Sequence, residues 1–588
     1  MYVRVPLVVV LASTCGVLNS AACGQSRSMA DTQEGPRTRL TVEELKTSGV
    51  LSDAPIDNLH LAPAGDSDVA LHEMEGTLAV RESSMRASVP DSQLISLDQS
   101  YFPGFAVDFF THEGHLVPTT RDIIRSSGDE SHWSFILAPG RVWSEPDDAG
   151  RSRAALPFVL VADQFNEVHN GIVTFVFDDE RVSSAYFQVT QETAAWNQID
   201  FWGLLPLEYA PGEIKSRDSL IAAYTEELEQ QIPVRPWSEL ETRYGAERVA
   251  GFDAGIDSLS ISASGLVFDS VIYLQPCRTR HGTFPFCRHM RHAAFSITKP
   301  LGAALTLLRL AEKYGEEVFD LRIPDYVAVT ANHDGWEGVT FGDALNMATG
   351  VGDNAPERRE PNVMHGDEDQ PKFFSFLQAP SRKDKLEICF SYADYPWGQG
   401  EIARYNSCNV FLLAAALDSL VRSREGPTAD VWDLVVEEVL QPIGVRHAPI
   451  MRTIEPDGAN GIPIFGYGLY PNVSDMARIT RLLQNGGVHD GRQLLHAGKL
   501  AEALFRTPIR GLPTGESNEI GEITYHIAFN GMPYQTADGS PWHVPFGTGY
   551  GGVHVVLVPN GITTFRFADG NAYGIVSMIR VAEAIRGR

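Results

Sequence analysis

Two styles of apolar patterning divide the chain. From about residue 60 to 205, apolar residues come in short β-branched and aromatic runs. Phe105-Ala106-Val107-Asp108-Phe109-Phe110, Phe158-Val159-Leu160-Val161 and Ile172-Val173-Thr174-Phe175-Val176-Phe177 are examples, with turn residues between them. Such runs predict strands. Glu213 to Gln231 reads as helical, and Pro233 and Pro236 then punctuate the chain, placing a domain boundary near 235. Beyond 240 the period lengthens. Leu259 to Leu274 predicts a strand pair turning at Ser264-Gly265. Leu301, Leu305, Leu308 and Ala311 recur at helical spacing, which predicts a helix over Ser296 to Tyr314 that Gly315 stops. Further helices are expected over 407–423, 430–439 and 473–485. Two late strands, His554–Val558 and Thr563–Phe567, flank a Pro559-Asn560-Gly561 turn, and a last helix starts near 573. Strands at both ends with helices between them describe an α/β (α+β) domain whose antiparallel sheet is built from its two termini. A β-rich N-terminal domain precedes it. No internal repeat is visible.

The chain's 588 residues are too many for one ordinary core, so at least two domains are expected. Composition is globular, with 43% hydrophobic and 21% charged residues. Against 47 Lys+Arg stand 75 Asp+Glu, a net charge of −28. Such a surface repels phosphate backbones and anionic lipid heads, and no basic stripe with interleaved aromatics offsets it, so nucleic acid is not an expected partner.

Residues 1–23 read as an export signal. Arg4 gives a positive start, Val5 to Leu18 is an apolar run too short to span a bilayer comfortably, and Ser20-Ala21-Ala22 suits cleavage. Cys23 directly after that site is a candidate for lipidation, which would anchor the protein to a membrane. Ser20 sits where a leucine is usual, so lipoprotein and plain secretion both stay open. Either way an exported bacterial protein is expected, periplasmic, membrane-anchored or secreted. Residues 24–60 are polar and rich in Gly, Pro, Asp and Ser, and read as a flexible arm. The remaining cysteines form two close pairs, Cys277/Cys287 and Cys389/Cys408, for which disulfides are the natural expectation outside the cytoplasm. Cys277, Cys287, His289 and His292 also admit a zinc reading, but their spacing fits no standard ligand pattern.

Ser296-Ile297-Thr298-Lys299 is the first place where chemistry is written. A serine hydroxyl is a weak nucleophile until a base takes its proton. At a helix start, positions i and i+3 share a face, so Lys299 can lie beside Ser296, and the helix N-terminus favours developing negative charge. Pro300 is tolerated in a first turn. A lone Ser-x-x-Lys is weak evidence, since an N-cap serine followed by a surface lysine reads the same way.

Its surroundings add weight. Phe295 to Pro300 resembles the nucleophile motif of serine β-lactamases and penicillin-recognising enzymes. It is most similar to the branch containing class C β-lactamases, D-amino-acid peptidases, related esterases and 6-aminohexanoate-dimer hydrolases. Val339-Thr340-Phe341-Gly342-Asp343-Ala344-Leu345-Asn346-Met347-Ala348-Thr349-Gly350-Val351 is similar to the family's I-T-I-x-x-L-L-T-H-T-S-G-L segment. Gly468 to Arg478 resembles its G-L-x-x-T-x-x-D-M-A-R run, and Asn485-Gly486-Gly487 and Gly491 to Leu495 continue the likeness. The resemblance covers about residues 255–588. It implies a β-lactamase/transpeptidase-like hydrolase domain over 240–588, behind a β-rich accessory domain over 61–235.

The resemblance also assigns roles. The family's Tyr-x-Asn falls at Tyr405-Asn406-Ser407, where Ser407 replaces the usual Asn, as in amide- and ester-cleaving members. Tyr405 would share proton transfer with Lys299. Ser407-Cys408-Asn409 is an alternative register, and Tyr392 and Tyr395 are alternative phenols. The third motif, normally Lys-Thr-Gly or His-Thr-Gly, reads Gly547-Thr548-Gly549, followed by Tyr550-Gly551-Gly552. Its glycines permit close backbone approach. The backbone N–H groups of Ser296 and Tyr550 would form an oxyanion hole. The missing cation at Gly547 argues against efficient β-lactam capture. His281, His289 and His292 read as loop residues, His543 as a residue that could line the pocket, and the acidic stretch Asp353–Gln370 as a solvated insertion. The implied activity is acyl transfer from small amide, ester or peptide-like substrates, with no metal or cofactor. The rival is a binding protein on the same scaffold that has lost turnover, motivated by Ser407 and Gly547.

Overall fold

Among the described residues before 237, strands are the main regular elements. The computed structural model describes residues 40–42, 45, 54–63, 69–88, 97–162, 164–195, 197–352, 361 and 370–587. Cys23, the export signal, most of the arm and most of the acidic stretch 353–370 lie outside these residues. Eleven described strands form the first sheet. Its order is Leu207–Pro211, Glu75–Val80, Phe105–His112, His115–Pro118, Gly140–Trp143, Ser152–Ala162, Val168–Phe177, Ala185–Thr193, Asp200–Leu205 and Arg86–Ser88. Trp133–Leu137 pairs separately with Ser152–Ala162. All of its ladders are antiparallel.

The long central strands are buried along almost their whole length, which is why they read as nearly unbroken apolar runs. Alternate residues face two different cores. Phe158, Leu160, Phe175, Phe177, Phe187 and Val189 pack together with Phe102, Trp133 and Phe135. Their neighbours Val159, Val161, Val168, Ile172, Val176 and Tyr186 face the other way. They join the same apolar cluster as the Leu301–Ala311 helix and strands of the second sheet.

The second sheet has nine described strands. Their order is Val234–Pro236, Val271–Leu274, Ile261–Phe268, Thr563–Ala568, Val553–Leu557, Pro541–Gly549, Phe529–Gln535, Glu522–His526 and Leu512–Ser517. Only the Val234–Pro236 edge is parallel to its neighbour. Val555 and Phe565 point into the shared cluster. Val556, Val558 and Ile562 point to the opposite face, where Trp237, Leu240, Met578 and Ile579 cover them. The sheet therefore carries helices on both faces, the α/β arrangement expected from the sequence. All described residues fall within one compact unit.

Three expectations need correction. The strand pair near 260 turns at Asp269-Ser270, not at Ser264-Gly265. Phe268 pairs with Val271, and both turn residues take positive φ (50° and 60°), the geometry of a two-residue hairpin turn. Gly265 lies inside the strand, where a Cβ would come within 2.3 Å of the Tyr273 carbonyl oxygen. Second, the arm expected over 24–60 is anchored at its end. Asn58 is fully buried, and its amide bonds Thr190 of the first sheet and Thr279 beside the second at 3.2 and 2.8 Å. Third, the helix over Ser296–Tyr314 is not uniform. It opens with a 3₁₀ turn, Phe295–Ile297, widens to a π-helical stretch over Lys299–Ala304, and becomes α-helical only over Leu305–Tyr314. Pro300 supplies no N–H to that stretch, and π turns inside helices are common at functional sites.

Cys277 and Cys287 are bonded, with Cα atoms 5.8 Å apart, and so are Cys389 and Cys408, at 5.3 Å. The first bond takes both thiols of the alternative zinc reading, and His292 lies stacked on Phe567, ring centroids 4.2 Å apart. Two predictions follow from this packing. A truncated chain beginning at 236 uncovers the apolar face that Val159, Val161, Ile172 and Val176 cover. It should yield no cooperative melting transition by circular dichroism. The double substitution Cys389→Ser/Cys408→Ser opens a loop with a sequence separation of 19. It should lower unfolding free energy by about 3 kcal/mol in denaturant titration.

Candidate active site

The nucleophile segment is held in a conformation that its own residues do not favour. Phe295, directly before Ser296, has φ 43°, the left-handed region that costs a bulky L-residue about 1–3 kcal/mol. Neighbours hold it there. Arg291 donates to the Tyr470 carbonyl (2.6 Å) and to the Asp475 carboxylate (3.2 Å). The N–H of Ala294 donates to the Leu469 carbonyl (3.1 Å), and the N–H of Leu469 donates to Thr298 Oγ1 (3.1 Å). Asp475 itself completes a capping box with Asn472 at the start of the helix Val473–Gln484. The segment similar to G-L-x-x-T-x-x-D-M-A-R thus cradles the residues around Ser296.

Within this cradle the structure brings Ser296, Lys299, Tyr405 and Ser407 together. Lys299 Nζ donates to Ser296 Oγ at 3.0 Å and to the Gly466 carbonyl at 2.8 Å. Ser407 Oγ lies 3.4 Å from the amine. The Tyr405 hydroxyl is hydrogen-bonded to both Ser296 Oγ and Lys299 Nζ. The amine also sits 4.5 Å from the centroid of the Tyr405 ring. Lys299 is almost entirely buried, Thr298 and Ser407 are buried, and Ser296 is half-buried.

Tyr405 and Ser407 are placed by the long helix Ser407–Glu425. Asn406 is its N-cap, and its side chain accepts from the N–H of Cys408 at 2.9 Å. The Cys389–Cys408 bond ties the same turn to the helix Arg382–Cys389. The alternatives go elsewhere. Asn409 accepts from Thr349 Oγ1 (3.2 Å), so the Ser407-Cys408-Asn409 register does not bring its asparagine to the amine. The Tyr392 ring lies under Lys372, and Tyr395 stacks on Trp397 with ring centroids 4.4 Å apart.

Gly547, Thr548 and Gly549 end the strand Pro541–Gly549, which runs against the nucleophile segment. A Cβ on Gly549 would come within 2.6 Å of the Ala294 carbonyl oxygen, and one on Gly547 within 3.1 Å of Pro300. Gly549 is needed for that approach, and a side chain at Gly547 would press on the Pro300 ring. Thr548 pairs in register with His554, whose Nδ1 lies 3.2 Å from Thr548 Oγ1. Burial, with Arg566 nearby, lowers the His554 pKa to about 3, so the ring stays neutral. Tyr550 is exposed, and its ring meets Phe295 edge-on at 6.0 Å. Other histidines serve elsewhere. His281 pairs with Asp200 (3.1 Å), His289 ends a short 3₁₀ turn, and His543 lies 3.1 Å from Thr524 Oγ1. Burial and Arg510 lower the His543 pKa to about 4.

Sequence patterns do not point to Gly466, whose contribution is a backbone carbonyl, or to Tyr525. The Tyr525 phenol is buried close to Tyr405, and its pKa is raised well above its ordinary value by burial and by that neighbour. Among the described residues no group of three or more His, Cys, Asp or Glu side chains is arranged to hold a metal ion.

No protein-family model and no curated protein matches the sequence. Solved structures do. A D-stereospecific amidohydrolase from Streptomyces sp. is 16% identical, with a TM-score of 0.40 over 58% of this chain and 98% of that one. A family VIII carboxylesterase is 16% identical, with a TM-score of 0.40 over 58% and 96%. A penicillin-binding protein homologue from Caulobacter crescentus is 17% identical, with a TM-score of 0.39 over 58% and 96%. The chain is thus similar to serine β-lactamase and penicillin-binding-protein-fold hydrolases, at low identity.

Asn406→Ala removes the cap that orients Tyr405 and Ser407. It should cost about 1 kcal/mol of stability, read as a shift of the denaturation midpoint at unchanged slope.

Proposed function

We propose that the chain is a serine hydrolase that forms an acyl-enzyme on Ser296. One observation carries this reading: Ser296 Oγ lies within hydrogen-bonding distance of both a buried amine, Lys299 Nζ at 3.0 Å, and the Tyr405 phenol. A serine hydroxyl becomes a useful nucleophile when a neighbouring base accepts its proton as it attacks. In the proposed scheme Ser296 Oγ adds to a substrate carbonyl, and its proton passes to the Lys299–Tyr405 pair. The same pair returns a proton to the leaving amine or alcohol as the tetrahedral intermediate collapses. Water then attacks the ester, with the pair again accepting a proton, and Ser296 is regenerated. The backbone N–H groups of Ser296 and Tyr550 are proposed as donors to the oxyanion. One such donor is typically worth about 2.7–4 kcal/mol of barrier. Ser407, Gly547, Thr548 and Gly549 are proposed to line the substrate side.

Substrates are proposed to be small amides, esters or peptide-like molecules. Gly547 leaves the third motif without the cation that would meet a substrate carboxylate, which supports neutral acyl groups over β-lactams. The first sheet is proposed as an accessory domain to this hydrolase. Export is proposed from residues 1–23, with the protein either anchored through a lipidated Cys23 or plainly secreted. The two cysteine pairs at disulfide distance support an oxidising compartment.

Intact-mass analysis after fluorophosphonate treatment tests the reading. A single adduct is expected on the parent protein and none on Ser296→Ala at equal thermal stability. Lys299→Met should slow ester turnover by roughly 10²–10⁴-fold. A folded parent protein that takes no adduct would shift the reading to a binding protein on the same scaffold, for which the altered positions Ser407 and Gly547 speak.

A further inference from the structure

The connection between the long strands Ser152–Ala162 and Val168–Phe177 reaches out of the first sheet to the residues around Ser296. At its tip Asn166 is fully buried and has φ 53°, a backbone conformation that asparagine tolerates better than most residues. Its side-chain amide faces the nucleophile segment. Asn166 Oδ1 accepts from the N–H of Phe295 at 2.7 Å, and Asn166 Nδ2 lies 3.4 Å from the Leu469 carbonyl. The N–H of Leu469 in turn donates to Thr298 Oγ1 at 3.1 Å. These bonds close a ring: Asn166 to Phe295, along the chain through Ser296 to Thr298, across to Leu469, and back to Asn166. Ser296 lies on the ring, and the strained Phe295 is its anchor point.

The tip is itself braced. The next residue, Glu167, is buried, and its carboxylate is bonded to His169 (2.6 Å) and to the side chain of Asn197. Asn197 belongs to the connection that follows Ala185–Thr193. In that same connection, Ala195 abuts the glycine turn after the third motif; a Cβ on Gly551 would lie 3.5 Å from it. Two loops of the first sheet, tied together through Glu167, thus touch both sides of the site, before Ser296 and after Tyr550.

We infer that Asn166 of the first sheet is a positioning residue for Ser296, locking the left-handed Phe295 backbone so that the hydroxyl stays on the Lys299 amine. The inference rests on the acyl-enzyme reading. Asn166 touches no reacting atom. Its hydrogen bond to the Phe295 N–H keeps the backbone from relaxing to an ordinary φ, which would swing Ser296 off the amine. Displacements of about 1 Å at a reacting group cost on the order of 10²-fold in rate.

The test compares acylation rate with stability in the full-length protein. Asn166→Gly suits the left-handed backbone and deletes the amide. Asn166→Ser carries its oxygen one bond too close to its own backbone to reach Phe295. Asn170→Ala is the control. The Asn170 side chain makes a similar pair of bonds from the same sheet to the backbone of Arg291, at 2.8 and 3.1 Å, but lies off the ring. Fluorophosphonate labelling is followed by intact mass well below each melting temperature. Both Asn166 variants should show the first-order acylation constant down on the order of 10²-fold with the half-saturating probe concentration unchanged. Asn170→Ala should lose a comparable amount of thermal stability yet acylate close to the parent rate, because its bonds end on Arg291 and their loss leaves the Asn166–Phe295 bond in place. Parental acylation in either folded Asn166 variant, or an equal loss in Asn170→Ala, would overturn the inference and leave the acyl-enzyme reading standing. A parent protein that takes no label would overturn both.

Discussion

Placing the Lys299 amine out of water beside Ser296 is the constraint to which the surrounding structure answers. A buried amine must have its donors satisfied, or the cost of desolvation falls on the fold. Here the partners come from separate parts of the chain: Ser296 from its own segment, Tyr405 and Ser407 from the entry to the long helix, and the Gly466 carbonyl from a loop. Each partner then needs its own anchor. The helix entry is fixed by the Asn406 cap and the Cys389–Cys408 bond. The loop is fixed where Leu469 meets Thr298 and Ala294. The third-motif strand lies this close to the nucleophile segment because Gly549 carries no side chain.

The first sheet is drawn into the same arrangement by its packing. Its central strands have no solvated face. One face closes a core with Trp133 and Phe158, and the other merges with the cluster around Leu301 and Leu305. A sheet attached in this way cannot swing as a lid without opening the core. Its rigidity makes its loops suitable supports: Asn58 bridges to Thr279, Asn170 to Arg291, and Asn166 to Phe295. A primary amide both donates and accepts without introducing charge, so Asn166 and Asn170 bond backbone groups of the second domain, and Asn58 bonds side-chain hydroxyls of Thr190 and Thr279.

Much of the second sheet and its helices was legible in the sequence because short-range signals carry it. Gly315 at a helix end and the spacing of Leu301, Leu305 and Leu308 are local, and the structure places elements there. Ser296 and Lys299 were legible as a pair because one helical turn relates them. Tyr405 was found through a resemblance, since nothing local marks one tyrosine among several. What escaped was non-local or carried by the backbone. Gly466 acts through a carbonyl, which no side-chain pattern reveals. Asn166 stands in a short polar connection between two strands, where an asparagine ordinarily signals only a turn. The Asp269-Ser270 turn was missed because a nearby glycine gave a stronger turn signal, and that glycine is instead required by crowding against Tyr273. The π-helical stretch after Lys299 follows from Pro300, which was legible as tolerated but not as reshaping the turn.

The pairing of Ile261–Phe268 with Thr563–Ala568 has a consequence for how the protein is made. Ile261–Phe268 meets its sheet neighbour Thr563–Ala568 only after about 300 further residues have been made. Until the chain has been synthesised as far as Ala568, one edge of Ile261–Phe268 stays open, and its apolar face has no permanent cover. Throughout that interval the nascent chain carries an unpaired edge of the kind that invites wrong partners. The first sheet, complete long before, is the surface against which the waiting segment can rest.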